Sequence, residues 1–257
     1  MKANVCLIGA SGLAASEPVV AFGWGWSRPP SVTASHWTSE RQTRIASTIL
    51  DADVLETDPM FIEPLTAATV KEGKLPPDEL IRIAKTFLKT SNGLGGDPDM
   101  LSNSFQFEGP VVGPLSKEAF VKAIGSVDFA TAFPNWTPQF YGFHVDPMEP
   151  EQNRVWYTAR GEGLNEGPLI PFAPVPTRKK VVNPPQVCSL TIDHETKLIT
   201  RYTIGYVTDR SVGNTGGLGG LYGILYALGR PLPFPEAQPW KKSWQYDVFQ
   251  KIGSLIQ

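Results

Sequence analysis

Arg160 and Glu162 stand two residues apart in the run Asn153–Glu162, NRVWYTARGE. If that run is a strand, the spacing puts both side chains on one face. A guanidinium beside a carboxylate orients it and favours its ionised form, the state a general base needs. The same pair also fits a strand-edge ion pair contributing about 0–1 kcal/mol. Gln106 and Glu108 repeat the spacing in Ser104–Glu108, and His144 lies near Asp146, as a base or as a half-exposed strand histidine. Cys6, Cys188, His36, His144 and His194 match no metal spacing, so no metal is expected and the cysteines read as free thiols. The glycine-rich Gly213–Gly220 lacks the Gly-Lys-Ser/Thr ending of a phosphate loop and follows no βαβ unit, so nucleotide binding is not expected. No motif asks for an organic cofactor.

These residues need elements to position them. Pro76-Pro77-Asp78 opens a helix with Asp78 as cap and Leu80, Ile81, Ala84, Phe87 and Leu88 at helical spacing. Asp97–Leu101 reads as a brief helical turn, Ser104–Glu108 as a strand, and Ser116 as the start of a second helix carrying Phe120, Val121 and Ile124. From Trp136 the period changes to two: strands are expected over Gln139–Val145, Asn153–Glu162, Val187–Asp193 and Leu198–Asp209, with a short one at Lys180–Val182. Tyr202 and Tyr206 share one face of the last strand, and Arg201, Thr203 and Asp209 the other. The proline-rich stretch 163–185 reads as a long loop, Gly213–Gly220 as a flexible flap leading into a helix at Leu221–Leu228, and Trp240–Ile256 as a last helix.

A length of 257 residues, 41% hydrophobic, allows one large domain or a smaller one with extensions. A formal charge of −2 without a basic run argues against nucleic acid. No apolar run approaches the roughly 20 residues of a membrane span. Lys2, the apolar Val5–Ala15 and the small residues Ala14-Ala15-Ser16 look like a weak leader, pointing to a plastid or other targeted compartment, with cytoplasm as the alternative. Phe22-Gly23-Trp24-Gly25-Trp26 reads as an aromatic arm, laid on the domain or anchoring a partner, and His36–Leu55 as a helix candidate.

Asp97–Ile124, a helical turn, a strand, Gly109-Pro110-x-x-Gly113 and a helix, resembles the signature of the NTF2-like superfamily and its SnoaL-like branch. The hairpin Ser189–Asp209 is similar to that superfamily's closing hairpin. The resemblance covers about Pro76–Asp209. It divides the chain into an extension (1–75), an NTF2-like domain (76–210) and a flap with tail (211–257). It implies an α+β cone, a strongly curved antiparallel sheet wrapped round N-terminal helices with an apolar pocket inside. Members of the superfamily include ketosteroid isomerases, polyketide cyclases, limonene-type epoxide hydrolases and dehydratases, while others only bind partners. Fold alone therefore leaves function open.

The epoxide hydrolases carry a strand similar to Tyr157-Thr158-Ala159-Arg160-Gly161-Glu162. By that likeness Glu162 would be the base, Arg160 would orient it, and Gln106 and Glu108 would hold water or substrate. Trp136, Phe140, Trp156 and Tyr206 would wall the pocket. The family's second acid is missing, since Thr203-Ile204-Gly205-Tyr206 holds no carboxylate. Two readings follow. One is a cofactor-free acid–base isomerase, cyclase or hydrolase acting on a small apolar molecule. The other is a non-catalytic accessory subunit attached to a plastid pigment–protein complex. A homodimer is what the superfamily's habit of pairing sheets implies.

Overall fold

The computed structural model describes residues 74–255 together with Ile62, Leu65 and Thr66, and 62–257 groups as one compact unit. The leader, the aromatic arm Phe22–Trp26, the helix candidate His36–Leu55 and Cys6 lie outside the described residues.

Helix α1 (Pro77–Leu88) begins two residues earlier than expected. Pro76, extended, is the cap; its carbonyl accepts from Glu79 N at 3.0 Å and Leu80 N at 3.1 Å. Asp78 is instead a first-turn acid, where the helix dipole favours negative charge. Its buried stripe is Leu80, Ile83, Ala84, Phe87 and Leu88, with Ile81 only partly covered. Strand β1 (Leu101–Glu108) runs through a short β2 (Leu115–Ser116) into α2 (Lys117–Gly125). Ser116 caps α2, its Oγ accepting from Ala119 N at 3.3 Å and donating to Glu118 at 2.9 Å. After α3 (Phe129–Ala132) come β3 (Thr137–Val145), β4 (Arg154–Leu164), β5 (Lys180–Val182), β6 (Gln186–Ile192) and β7 (Ile199–Val207), then α4 (Gly220–Ala227) and α5 (Trp244–Leu255). No described helix is long and apolar enough to cross a membrane.

The described strands form one seven-stranded sheet in the order β2-β1-β7-β6-β4-β3, with β5 on β4. It is mixed rather than purely antiparallel: β1 and β7 are parallel, because α2 and the strands β3–β6 intervene between them in sequence. Register shifts between Tyr141 and His144 and between Val187 and Ser189 are bulges that bend the sheet. The second puts an extra residue on β7 at Gly205, whose φ of +93° suits glycine. It breaks the alternation on which Tyr202 and Tyr206 were expected to share a face: Tyr202 is buried opposite Leu190, whereas Tyr206 pairs with Val187 and is exposed.

Two buried clusters result. One joins α1 and Phe120 of α2 to the inner faces of β1, β4, β6 and β7. The other joins α3 and Phe133 to Leu169, Ala173, Val181, the α4 residues Ile224 and Leu225, and Leu228 just after α4. The loop after β4 is organised by Asn165, fully buried. Its amide donates to Ala132 O (3.2 Å) and Gly167 O (2.8 Å) and accepts from Thr177 N (2.7 Å) and Oγ1 (2.9 Å). The glycine-rich stretch is tied down rather than a free flap. The Asn214 side chain pairs with β5 like a strand, accepting from Val182 N at 2.9 Å and donating to Lys180 O at 2.7 Å. A Cβ on Gly219 would lie 2.2 Å from Gly205 O, so this approach of loop to strand needs glycine.

Candidate functional site: a neutral cavity inside the sheet

Strand parity builds the inner face. On β4 Tyr157 and Ala159 turn inward, opposite Cys188 and Gln186 of β6. Phe140 of β3 lies opposite Ala159, and Phe107 of β1 is in register with Tyr202 of β7. The Phe120 ring stacks on Phe107 at 4.8 Å and meets Tyr202 edge-on at 6.0 Å. Between these rings and the second cluster lies a cavity of about 620 Å³, the size class that holds one drug-sized molecule. Phe107, Phe120, Phe129, Trp136, Phe140 and Ile204 form much of its wall.

The polar groups deep in this wall are neutral: Asn183, Gln186, Cys188 and Tyr202. Burial pushes the Cys188 thiol up to about 12 and raises the Tyr202 phenol, because an ionised form would lose its hydration. Tyr157, buried beside them, is raised for the same reason. Its Oη lies near Tyr202 and Cys188 without reaching hydrogen-bond geometry with either. At neutral pH these groups are hydrogen-bond donors and weak acceptors, not bases. Charge borders the cavity at the half-buried Arg160 and at the exposed Arg210 and Glu236.

The four polar residues that the sequence grouped as a catalytic set do not converge here. Glu162 is half exposed and pairs with Lys180 at 3.1 Å. Glu108 pairs with Arg201 at 2.5 Å, and Gln106 is exposed. Parity is the reason: Phe105 and Phe107 take the inward positions of β1, which leaves Gln106 and Glu108 on the convex face. Arg160 borders the cavity. However, it pairs with Gln139 between the inward Ala159 and Gly161, so alternation directs its side chain outward with Thr158 and Glu162. Of the proposed wall residues, Trp136 and Phe140 line the cavity, and Tyr206 borders it while exposed. Trp156 is on the convex face, its indole donating to Asp146 Oδ2 at 2.9 Å under the Arg154 guanidinium, 4.0 Å from the ring. Burial works against the Asp146 carboxylate, but this bond and the Met148 and Glu149 amides hold its pKa below the ordinary value. His144 lies with Trp156, its Nδ1 2.9 Å from Gly142 O.

Sequence reasoning passed over Asn183 and Gln186, and named Cys188 only as a free thiol and Tyr202 only for the strand face it takes. One signal was available. Counting back by twos from Ile192 and Leu190 through Cys188 reaches Gln186, a polar side chain on an otherwise apolar face.

No family model matches the chain, and no curated protein does. Solved structures do match. A protein described as a SnoaL-like polyketide cyclase, from Jannaschia sp. CCS1, is 14% identical over 61% of this chain and 95% of its own, with a TM-score of 0.42. AclR from Streptomyces galilaeus, described as a hydroxylase, is 14% identical over 70% and 94%, at 0.41. An LEH-like epoxide hydrolase from M. tuberculosis is 12% identical over 60% and 92%, at 0.37. Likeness at this level says nothing of activity. The architecture speaks for itself: a curled mixed sheet with a parallel β1–β7 junction, and helices packed in its concavity. This is the α+β cone that the resemblance to the NTF2-like superfamily implies. In this cone the C-terminal extension is part of the pocket, since Gly216–Leu221, Ile224 and Trp240 all border the cavity.

Proposed function

We propose that this protein binds a neutral, largely apolar small molecule inside the cone. The observation that carries the reading is the cavity itself, about 620 Å³ with an aromatic wall and deep polar groups that all stay uncharged. An anionic or cationic ligand would have to shed its hydration there without a counter-charge, which is costly. Carboxylate-based hydrolysis or isomerisation is not supported. Among the described residues, Glu236 is the one carboxylate bordering the cavity, and it is exposed. Chemistry on the ligand, as an isomerase or cyclase would perform it, falls instead to Tyr202, a neutral phenol on the cavity wall that can donate to a ligand oxygen.

Native mass spectrometry of protein purified from its source tests the proposal. The folded wild type is expected to carry a small molecule, and Ala159→Phe, which fills the cavity from β4, is expected to lose it. A wild type without ligand that also fails to take up Nile red would remove the reading.

A further inference from the structure

Gln186, the first residue of β6, is 4% exposed and lines the cavity from the inward face of its strand. Its amide has one orientation. Gly220 N donates to it at 3.0 Å, and only the carbonyl oxygen can accept, so Nε2 is the end turned away from Gly220. Nε2 has no acceptor among the described residues. Packing does not seal it in, as it seals the unpartnered Tyr157 Oη and Asn183 Oδ1. It keeps open surface, and on this face of β6 what lies open is the cavity.

A second feature meets the cavity at the same place. Gly220 begins the eight-residue helix α4, and Gly219, Gly220, Leu221 and Tyr222 all border the cavity. The amides of a first helical turn have no partner within the helix. Gln186 takes that of Gly220, while those of Leu221 and Tyr222 have no acceptor among the described residues. The positive end of α4 and a fixed, buried amide donor therefore stand side by side, joined through the hydrogen bond that Gln186 Oε1 accepts. That bond also uses up the acceptor end of Gln186.

We infer that Gln186 Nε2, at the N-terminus of α4, is the subsite for a carbonyl oxygen on the ligand. This inference rests on the reading of the cone as a ligand pocket. The ligand class is then a ketone, aldehyde or ester, its hydrocarbon body against Phe107, Phe120, Trp136 and Phe140. A carbonyl oxygen accepts from Nε2 without a proton of its own to place, and the negative end of its dipole faces the positive end of the helix. A hydroxyl would bring a proton to a spot whose side-chain acceptor is taken, and a carboxylate would bring a full charge among neutral groups.

The test measures naphthalene, 2-acetylnaphthalene and its shape-matched alkene 2-isopropenylnaphthalene by equilibrium dialysis against wild type and Gln186→Met. The ratio of ketone to alkene affinity should fall about tenfold in the variant, a comparison in which the probes' own hydration cancels, while naphthalene stays within about twofold. Carbon NMR gives a second readout on the wild type itself. The carbonyl carbon of bound 2-acetylnaphthalene should lie downfield of its position in cyclohexane, because a hydrogen bond draws electron density from it. That position should persist in Tyr202→Phe, which removes the phenol donor from the wall. An unchanged ratio, a carbonyl carbon at its hydrocarbon position, or one that returns there in Tyr202→Phe overturns the subsite and leaves the pocket standing. So does a larger loss for 1-(2-naphthyl)ethanol or 2-naphthoate than for the ketone on Gln186→Met. Failure of all the probes to bind wild type overturns the pocket reading, and the subsite with it.

Discussion

Along β4, Val155, Tyr157 and Ala159 turn to the concave side, among buried rings, a thiol and an amide. The alternating Arg154, Trp156 and Glu162 turn to the convex side, where each of these three has a polar partner. Arg154 Nε donates to Ser189 Oγ at 2.9 Å, Trp156 bonds Asp146, and Glu162 meets Lys180. The neighbouring Arg201 and Glu108 repeat the pattern. Both faces carry residues capable of chemistry, but they are different residues. Carboxylates and guanidiniums lie where water and counter-charges solvate them, and the cone keeps groups that tolerate desolvation uncharged. Residue types associated with catalysis therefore mark the wrong side of this sheet.

The contrast can be broken most strongly from inside. Phe120→Ala removes a ring that touches Phe105, Phe107 and Tyr202, and chemical denaturation should show a loss of about 3–5 kcal/mol. Trp156→Ala, on the convex side, gives up one charged hydrogen bond and one cation–π contact and should lose about 1–2 kcal/mol. A Trp156 loss as large as that of Phe120 would mean that the convex face carries core-like energy.

The two faces should also respond to opposite ends of the pH scale. Folding raises the Cys188 pKa from an ordinary 9.0 to about 12. Its contribution is therefore complete below about pH 9 and lost as pH climbs toward 12. Tyr157 and Tyr202 add to the same alkaline loss, so Cys188→Val should flatten the fall in melting temperature over this window without abolishing it. On the convex side the folded Asp146 pKa is depressed. Its contribution is present above the ordinary carboxylate range and lost as pH falls through the folded value. The stability gap between wild type and Asp146→Asn should accordingly shrink on acidification from neutrality. A gap that is constant with pH would show that Asp146 gains nothing from its bond to Trp156.

The smallest effect sharpens the contrast furthest. Glu162→Gln and Glu108→Gln each remove one exposed ion pair and should cost no more than about 1 kcal/mol, with naphthalene binding unchanged. If either substitution abolished binding or an activity found later, the convex face would hold the working groups after all.

Much of the fold was legible in the sequence because it is written in periodicity. The stripe of α1, the Ser116 cap and the alternation in β3, β4, β6 and β7 each show within a few residues of chain. The Asp78 cap was misplaced by two residues, since a proline just before a helix can serve as the boundary without a side-chain bond. The site was less legible. Arg160-x-Glu162 correctly shared a face, but a spacing of two is the same on either face. Inward and outward on β1 were settled by the rings of Phe105 and Phe107 packing on Phe120.

By itself, then, the sequence determined the elements, their order and the likeness to a cone-shaped superfamily, because helix stripes, caps and strand alternation are local. Only the tertiary structure decided which face of each strand is inside, that Gly205 throws Tyr206 out of step with Tyr202, and that Asn183 and Gln186 meet one cavity with α4 closing over it. Those outcomes depend on pairings across the sheet between residues far apart in the chain. A single register shift reverses them while leaving every local pattern intact.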